Sequence, residues 1–161
     1  ENKELPKTLS NNKAFVVAKN EISGTELKGA KIELNHADSI QLMLVSGIGP
    51  VFANRIINYR NYLGGFYKVE QLLEVYGFTN EMFSKLASEF RVDSSQLKGI
   101  NINKASFKKI NKHPYISYKQ TKSIFKYKQL MGEYSELNEL LVNNLIDSAT
   151  YQKVKPYLKT N

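Results

Sequence analysis

The sequence predicts an all-α fold made of two tandem copies of one helical unit. Apolar residues recur at spacings of three and four, and no stretch shows sustained strand alternation. A Gly-Pro turn between two such segments begins a pattern that returns later in the chain. With 161 residues and 42% hydrophobic composition, the chain can bury one medium core or two small ones without disulfides or metal.

The two copies become visible when the sequence is shifted by 68 positions. The shift aligns apolar and turn residues: Ile32 with Ile100, Asn35 with Asn103, Ala37 with Ala105, Ile48 with Ile116, Ile56 with Ile124, Tyr59 with Tyr127, Gly64 with Gly132 and Leu72 with Leu140. Matches confined to such positions indicate a duplicated fold whose surface has diverged.

Each copy also contains a shorter internal repeat with a spacing of 30 residues. Gly-Ile-Gly-Pro at 47–50 returns as Gly-Phe-Thr-Asn at 77–80, and Tyr-Ile-Ser-Tyr at 115–118 returns as Leu-Ile-Asp-Ser at 145–148. The second residue is apolar in all four, which indicates an anchor under a loop. Because the glycines are not kept, we expect Gly47 and Gly49 to be dispensable for the fold.

The helices follow from periodicity and from their boundary residues. Asp38, in the first turn, favours a helix over 37–45. Pro50 at the first helical position and Gly64 after the last one predict a helix over 50–63. The same reasoning predicts helices over 69–75, 80–89, 106–112, 118–131, 136–143 and 148–158.

These elements divide the chain into four parts. Residues 1–30 are polar and aperiodic and are predicted to be a linker, with 15–18 docking as an extended piece. The first module is predicted over 31–91, a joint over 92–99, and the second module over 100–161. No methionine precedes Met43, so we interpret the chain as a processed or excised piece.

Composition narrows the classes of function. There is no cysteine and the two histidines are far apart, so no metal site and no cofactor is expected. No apolar run approaches the roughly 20 residues that span a bilayer, so no membrane contact is expected from this segment. The net charge is +8, and residues 96–161 carry twelve lysines against four acids. This charge suits an anionic partner.

A family resemblance is carried by residues 32–78. In order, they hold an Asn-x-Ala start, the Gly-Ile-Gly-Pro hairpin, an Ile-Ile-x-Tyr-Arg helix, a Gly-Gly-Phe turn and a second hairpin. This stretch closely resembles the helix-hairpin-helix modules of ComEA-type competence DNA-uptake proteins. The second copy is similar only loosely, because its hairpin, His-Pro-Tyr-Ile-Ser-Tyr at 113–118, has lost both glycines.

The resemblance implies two tandem double helix-hairpin-helix modules, SAM-like or ComEA-like in fold. It implies binding of double-stranded DNA without sequence specificity, through hairpin amides on phosphates. It also implies a bacterial protein that is extracytoplasmic, or membrane-anchored through a missing N-terminal segment, although a cytoplasmic location is compatible with the sequence. The oligomeric state is left open.

Two groups of residues are candidate DNA contacts. The first lies at the glycine-containing hairpin, where a helix start presents unpaired amides and a partial positive charge to an anion. The second is an acid-free stretch between Asp93 and Glu133 that contains nine lysines. On the helix predicted from Tyr118, three of these share one face. The candidates are Gly47, Ile48, Gly49, Val51, Phe52, Arg55, Lys68, Lys112, Lys119, Lys122 and Lys126.

Other polar residues are predicted to be structural. Arg60 and Lys128 fall on the apolar faces of their helices and are expected to extend to the surface or pair internally. His36 and His113 are expected to be surface or capping groups. Tyr59 and Tyr127 are expected in the cores.

Three functions remain open on the sequence alone. The first is a non-enzymatic DNA-binding module, which we favour. The second is a protein-interaction scaffold that keeps the fold without binding DNA. The third is a base-excision glycosylase, which needs a catalytic Asp about 20 residues after the hairpin. Only Glu70 stands near that distance, without a recognisable base-pocket sequence around it, so no enzyme activity is predicted.

Overall fold

The computed structural model describes residues 30–161, and the proposed linker lies outside them except for Ala30. The first module contains strand β1 (Ile32–Glu33), helices α1 (Ser39–Met43), α2 (Pro50–Leu63) and α3 (Asn80–Leu86), 3₁₀ helices Val69–Glu74 and Ala87–Glu89, and strand β2 (Phe90–Arg91). The joint holds one 3₁₀ turn, Ser94–Gln96.

The second module repeats this order. It contains strand β3 (Ile100–Asn101), helices α4 (Phe107–Asn111), α5 (Tyr118–Met131), α6 (Glu139–Val142) and α7 (Ser148–Val154), the 3₁₀ helix Lys155–Tyr157, and strand β4 (Leu158–Lys159). The predicted all-α class and the tandem arrangement are therefore confirmed.

The two long helices begin and end where the sequence predicts. Pro50 opens α2, and Gly64 ends it with a left-handed φ of 86° that a residue with a side chain rarely adopts. Ser117 opens α5 through a capping box, in which its hydroxyl accepts from the Gln120 amide while the Gln120 side chain accepts from the Ser117 amide. Both helices have 14 residues.

The short elements differ from prediction. Segment 69–75 forms a 3₁₀ helix rather than an α-helix, and only Glu139–Val142 of segment 136–143 is α-helical. Each module is also closed by a parallel pair of two-residue strands, β1 with β2 and β3 with β4. The partners Ile32 and Phe90 are 58 positions apart, so no local pattern could reveal their pairing.

Each module has its own hydrophobic core, and the four hairpin anchors are part of these cores. Ile48 and Phe78 are buried in the first core, and Ile116 and Ile146 are buried in the second, each with no more than 5% of its surface exposed. The structural role expected of the second hairpin residue is therefore observed. Tyr157 belongs to the second module in sequence but is buried against the first core.

Polar contacts join the two modules around Tyr157. Gln71 Nε2 donates to the hydroxyl oxygens of Tyr115, at 2.7 Å, and Tyr157, at 2.8 Å. The Tyr115 hydroxyl in turn donates to Glu74 Oε2 at 2.5 Å. In the joint, the amide of Lys98 donates to the carbonyl oxygen of Gly64 at 2.8 Å. The modules therefore meet through directional hydrogen bonds, of which the one between Gln71 and Tyr157 is buried, and these bonds fix their relative placement.

Candidate functional site

The first hairpin combines one glycine that the backbone requires with one that it does not. Gly47 has φ +97°, a left-handed conformation that disfavours any side chain. The expectation that Gly47 is dispensable for the fold is therefore wrong at this hairpin. Gly49 has φ −94° and ψ 179°, an ordinary extended backbone, and a Cβ added there would meet no atom of the described residues within 4 Å.

The structural role of Gly49 becomes clear from the other three hairpins. The residue equivalent to Gly49 is the N-cap in every case, and elsewhere it carries an oxygen: Thr79, Ser117 or Asp147. That oxygen accepts the amide three residues later, at 3.2, 3.2 and 2.8 Å respectively. Gly49 has no such oxygen, so the start of α2 is the one open N-terminus among these four.

The open N-terminus leaves a cluster of backbone donors exposed. The amides of Gly47, Gly49, Val51 and Phe52 have no hydrogen-bond acceptor within residues 30–161, whereas Ile48 donates to the carbonyl of Val45 at 3.0 Å. Pro50 contributes no donor. Val51 is 59% exposed, so solvent and ligands reach this end of the helix. The arrangement can bind an oxyanion through several amides and the helix dipole.

Arg55 lies beside this cluster but is not a free surface cation. Its Nη1 donates to the Tyr76 carbonyl at 3.1 Å, and its guanidinium lies 4.8 Å from the Tyr76 ring centre and 5.5 Å from that of Phe52. A Cβ on Gly77 would lie 2.9 Å from Nη1. Arg55 therefore links α2 to the second hairpin through Tyr76, one turn after the open start of the helix.

Lys68 and Glu70 belong to the 3₁₀ helix Val69–Glu74 and its N-cap rather than to the hairpin itself. Lys68 is exposed at the N-cap of the Val69–Glu74 helix, and within residues 30–161 no side-chain hydrogen bond or ion pair connects it to the hairpin. Glu70 is exposed on the same 3₁₀ helix. Neither residue is brought to the hairpin by the contacts of the described chain.

The lysines of the second module form two surfaces rather than one. Lys119, Lys122 and Lys126, here called the outer lysine face, are exposed on α5 opposite buried Thr121 and Ile124. Lys112 points elsewhere. It lines a groove between the modules, together with three other lysines: Lys98, Lys108 and Lys109.

The inter-module groove has a volume of about 690 Å³. The C-terminal half of α2 supplies Asn58, Asn61, Tyr62 and Leu63 to one wall, and α4 with its flanking residues supplies the other. The remaining described lining residues are Gly64, Ile100, Ser106 and His113, so no carboxylate from residues 30–161 lines it. This groove could not be predicted from local sequence patterns, because residues about 50 positions apart form it.

Arg60 and Lys128 make similar internal contacts in the two modules. Arg60 Nη1 donates to the carbonyl oxygens of Leu34, at 2.8 Å, and Ala37, at 2.7 Å. Lys128 Nζ donates to the carbonyl oxygen of Asn103. Desolvation lowers the pKa of Arg60, and the nearby Glu33 carboxylate partly opposes that shift. Both cations therefore donate hydrogen bonds to backbone carbonyls near the start of their module. This agrees with the expectation that Arg60 and Lys128 pair internally.

The two histidines differ from each other. His36 is exposed and its Nδ1 lies 2.7 Å from Glu33 Oε2. His113 is only 2% exposed, which corrects the expectation of a surface or capping group. Its Nδ1 accepts from the Tyr115 amide at 3.3 Å, while Nε2 is buried without a hydrogen-bond partner within the described chain. Desolvation lowers the pKa of His113 to about 4, so the ring is neutral at pH 7.

Tyr59 and Tyr127 are partly buried, and their hydroxyls donate to Glu74 and Glu139 respectively. Burial and the carboxylate raise the pKa of both phenols. Within residues 30–161 no group of three or more His, Asp or Glu side chains is arranged to hold a metal ion. No helix of that part of the chain has the length and apolar character needed to cross a bilayer.

Comparison with known proteins gives two kinds of match. A family model described as the helix-hairpin-helix motif matches twice, at residues 27–91 and 95–159. ComE operon protein 1 of Bacillus subtilis (strain 168) is 37% identical over 65 residues, which cover 40% of this chain and 32% of that protein.

Longer matches, at lower identity, are to proteins named Endonuclease/exonuclease/phosphatase family domain-containing protein 1. The Mus musculus protein is 25% identical over 179 residues, which cover 93% of this chain and 31% of that protein. The Homo sapiens protein is 33% identical over 89 residues, covering 55% and 16%. The chain thus spans about a third or less of the length of the curated relatives it matches. No solved structure matches it.

Proposed function

The chain belongs to the helix-hairpin-helix family, and from that premise we propose that it binds the phosphate backbone of double-stranded DNA without sequence specificity. The predicted resemblance to ComEA-type proteins is confirmed by the tandem family match and by ComE operon protein 1. Family and relative support nucleic-acid binding. A role in DNA uptake is part of the proposal and rests on the resemblance of residues 32–78 to ComEA-type proteins.

The observation that carries the proposal is the open N-terminus of α2. At the other three hairpins a side-chain oxygen occupies the amide that a phosphate oxygen would need. In the first hairpin the N-cap is Gly49, and the corresponding amide, that of Phe52, has no partner among the described residues. Gly49 also has no Cβ that would obstruct the approach of a ligand to the backbone. A DNA phosphate would therefore act as the missing cap, receiving hydrogen bonds from Val51 and Phe52 and charge stabilisation from the helix dipole and Arg55.

Lysines of the second module supply the attraction that the first module lacks. Residues 31–95 carry six cations against seven acids, so the open hairpin lies in a module without excess positive charge. The outer lysine face adds three exposed cations with no acid between Asp93 and Glu133 in the sequence. We propose that this face contacts phosphates of the same duplex, while Ile48 acts by holding the hairpin loop on the core.

We further propose that the chain is not itself an enzyme. The endonuclease name describes relatives of which this chain matches 31% or less. Glu70, the one carboxylate near the glycosylase spacing, is exposed on the 3₁₀ helix Val69–Glu74. The family and ComE operon protein 1 support a binding role for the part that is shared.

A salt titration with unrelated duplexes tests the proposal. We expect similar affinities for two blunt duplexes of unrelated sequence, and an affinity that falls steeply with salt. If the three lysines of the outer face and Arg55 contact phosphates, these four cations give a log-log slope of about −3.6. No binding at low salt would refute DNA binding and favour the protein-interaction scaffold. A strong preference for one sequence would refute recognition through the backbone.

A further inference from the structure

We propose that the inter-module groove is a second nucleic-acid site, and that it binds single-stranded DNA. This inference goes beyond the duplex site at the first hairpin and uses different residues. It rests on the groove's charge, its apolar floor and one exposed aromatic ring.

The groove has the charge of an anion site. Lys98, Lys108, Lys109 and Lys112 line it, all four are exposed, and none forms an ion pair within residues 30–161. Because no carboxylate of residues 30–161 lines the groove, nothing in the described chain offsets their charge there. Mutual repulsion of four ammonium groups disfavours the empty groove, and a chain of phosphates would relieve it.

The base of the groove is apolar, which favours a ligand with more than phosphate groups. Leu63, Ile100 and His113 are nearly fully buried, so they form its base, and His113 adds no charge because its ring is neutral at pH 7. Apolar surface below and lysines above suit a ligand that has both flat apolar faces and anionic groups. A nucleotide unit has both.

Tyr62 distinguishes a single strand from a duplex. It is 64% exposed at the groove and makes no aromatic contact with another described residue. Stacking on such a ring requires a base face, and a duplex buries base faces between neighbouring pairs while a single strand exposes them. Asn58 and Asn61, also exposed on this wall, offer amide donors and acceptors to base edges.

The groove is also of a suitable size and position. Its volume of about 690 Å³ lies within the range of small-ligand pockets, so it admits single nucleotide units but not a double helix. It lies at the C-terminal half of α2, whose N-terminus is the open hairpin. The 14-residue helix is about 21 Å long, so one DNA molecule with a single-stranded extension could occupy both sites.

Fluorescence anisotropy with a labelled oligothymidine and with a blunt duplex tests this proposal in the full chain at low salt. We expect Tyr62→Ala to weaken oligothymidine binding about tenfold and to leave duplex binding unchanged, since loss of one stacked base has about this effect. Tyr62→Phe keeps the ring and should bind like the parent. Tyr67→Ala, at an exposed tyrosine outside the groove, is the matched control.

A second pair of variants tests the charge. Lys108→Gln, Lys109→Gln and Lys112→Gln together should weaken oligothymidine binding more than the same replacement of the outer lysine face, although both remove three charges. Equal effects of the two triples, or parent-like oligothymidine binding by Tyr62→Ala, would overturn the proposal. So would an equal loss of duplex binding in Tyr62→Ala. Failure of the duplex site would appear separately, in variants of Gly49.

Discussion

Replacement of Gly49 by Asp should make the protein more stable and lower its affinity for duplex DNA. The backbone accepts the change, because Gly49 (φ −94°, ψ 179°) lies close to the Asp147 N-cap (φ −77°, ψ 163°) and a Cβ there meets no described atom within 4 Å. The new carboxylate should accept from the Phe52 amide as Asp147 does from Thr150, at 2.8 Å. We expect the free energy of unfolding to rise by about 0.5–1 kcal/mol.

The loss of DNA affinity has two parts. Occupation of the Phe52 amide removes a charge-assisted hydrogen bond to phosphate, worth about 1.5 kcal/mol. The carboxylate also repels a phosphate about 5 Å away, by about 1–3 kcal/mol at an effective dielectric constant between 80 and 20. Together they cost about 2.5–4.5 kcal/mol, which predicts duplex binding weaker by about a hundredfold to a thousandfold. Gly49→Asn occupies the same amide without the charge, so it should lose only about tenfold.

Anisotropy titrations with a duplex and urea unfolding of the same preparations measure both quantities. Thr79→Asp is the matched control, because it adds the same charge at an N-cap whose amide already has a partner, and its effect should be small. The reasoning is refuted if Gly49→Asp binds duplex as tightly as the parent. It is refuted too if that variant unfolds more easily, because the open cap would then have a structural purpose.

Three further predictions concern charge, pH and the module interface. Charge removal at the outer lysine face should make the salt dependence of duplex binding shallower by about 2.7 in log-log slope, and an unchanged slope would exclude that face from the contact. Because the fold favours neutral His113, the unfolded chain binds a proton more readily between pH 6.5 and 4. Stability should therefore fall by about 2 kcal/mol from pH 7 to pH 5, and a His113→Phe variant should lack this decrease in urea titrations at the two pH values. Gln71→Leu leaves the buried Tyr157 hydroxyl without its hydrogen-bond donor, so calorimetry should show about 2 kcal/mol of lost stability. Leu73→Gln, at the exposed residue Leu73 nearby, is the control and should be as stable as the parent.

The sequence predicts well those features that adjacent residues determine. The ends of α2 and α5 follow from Pro50, Gly64 and the Ser117 cap, each of which acts within one turn of the helix. The hairpin anchors are equally local, since one large apolar residue beneath each loop is enough to mark them. The candidate phosphate-binding amides around Gly49 are also predictable from the sequence, because the Gly-Ile-Gly-Pro residues themselves determine that turn.

Features made by distant residues escape such reasoning. The burial of His113 and Tyr157 depends on how the second module sits against the first, and their polar side chains resemble surface residues in sequence. The groove is invisible for the same reason, because α2 and α4 contribute its two walls. The error at Gly47 has another cause. In the fourth hairpin the residue equivalent to Gly47 is Leu145, but the left-handed conformation is taken by the preceding residue, Asn144. The backbones of the four loops therefore do not match residue by residue.

The parallel strand pairs determine how each module responds to a pulling force. The chain enters a module at one end of its ladder and leaves at the opposite end, because β1 runs parallel to β2 and β3 parallel to β4. Tension on the chain therefore acts along the strands and loads their bonds together, including those from Leu34 to Arg91 at 3.0 Å and from Ile102 to Lys159 at 2.8 Å. Opening by shear requires these bonds to break at once, so each module should hold its shape when a long polymer attached to it is drawn taut.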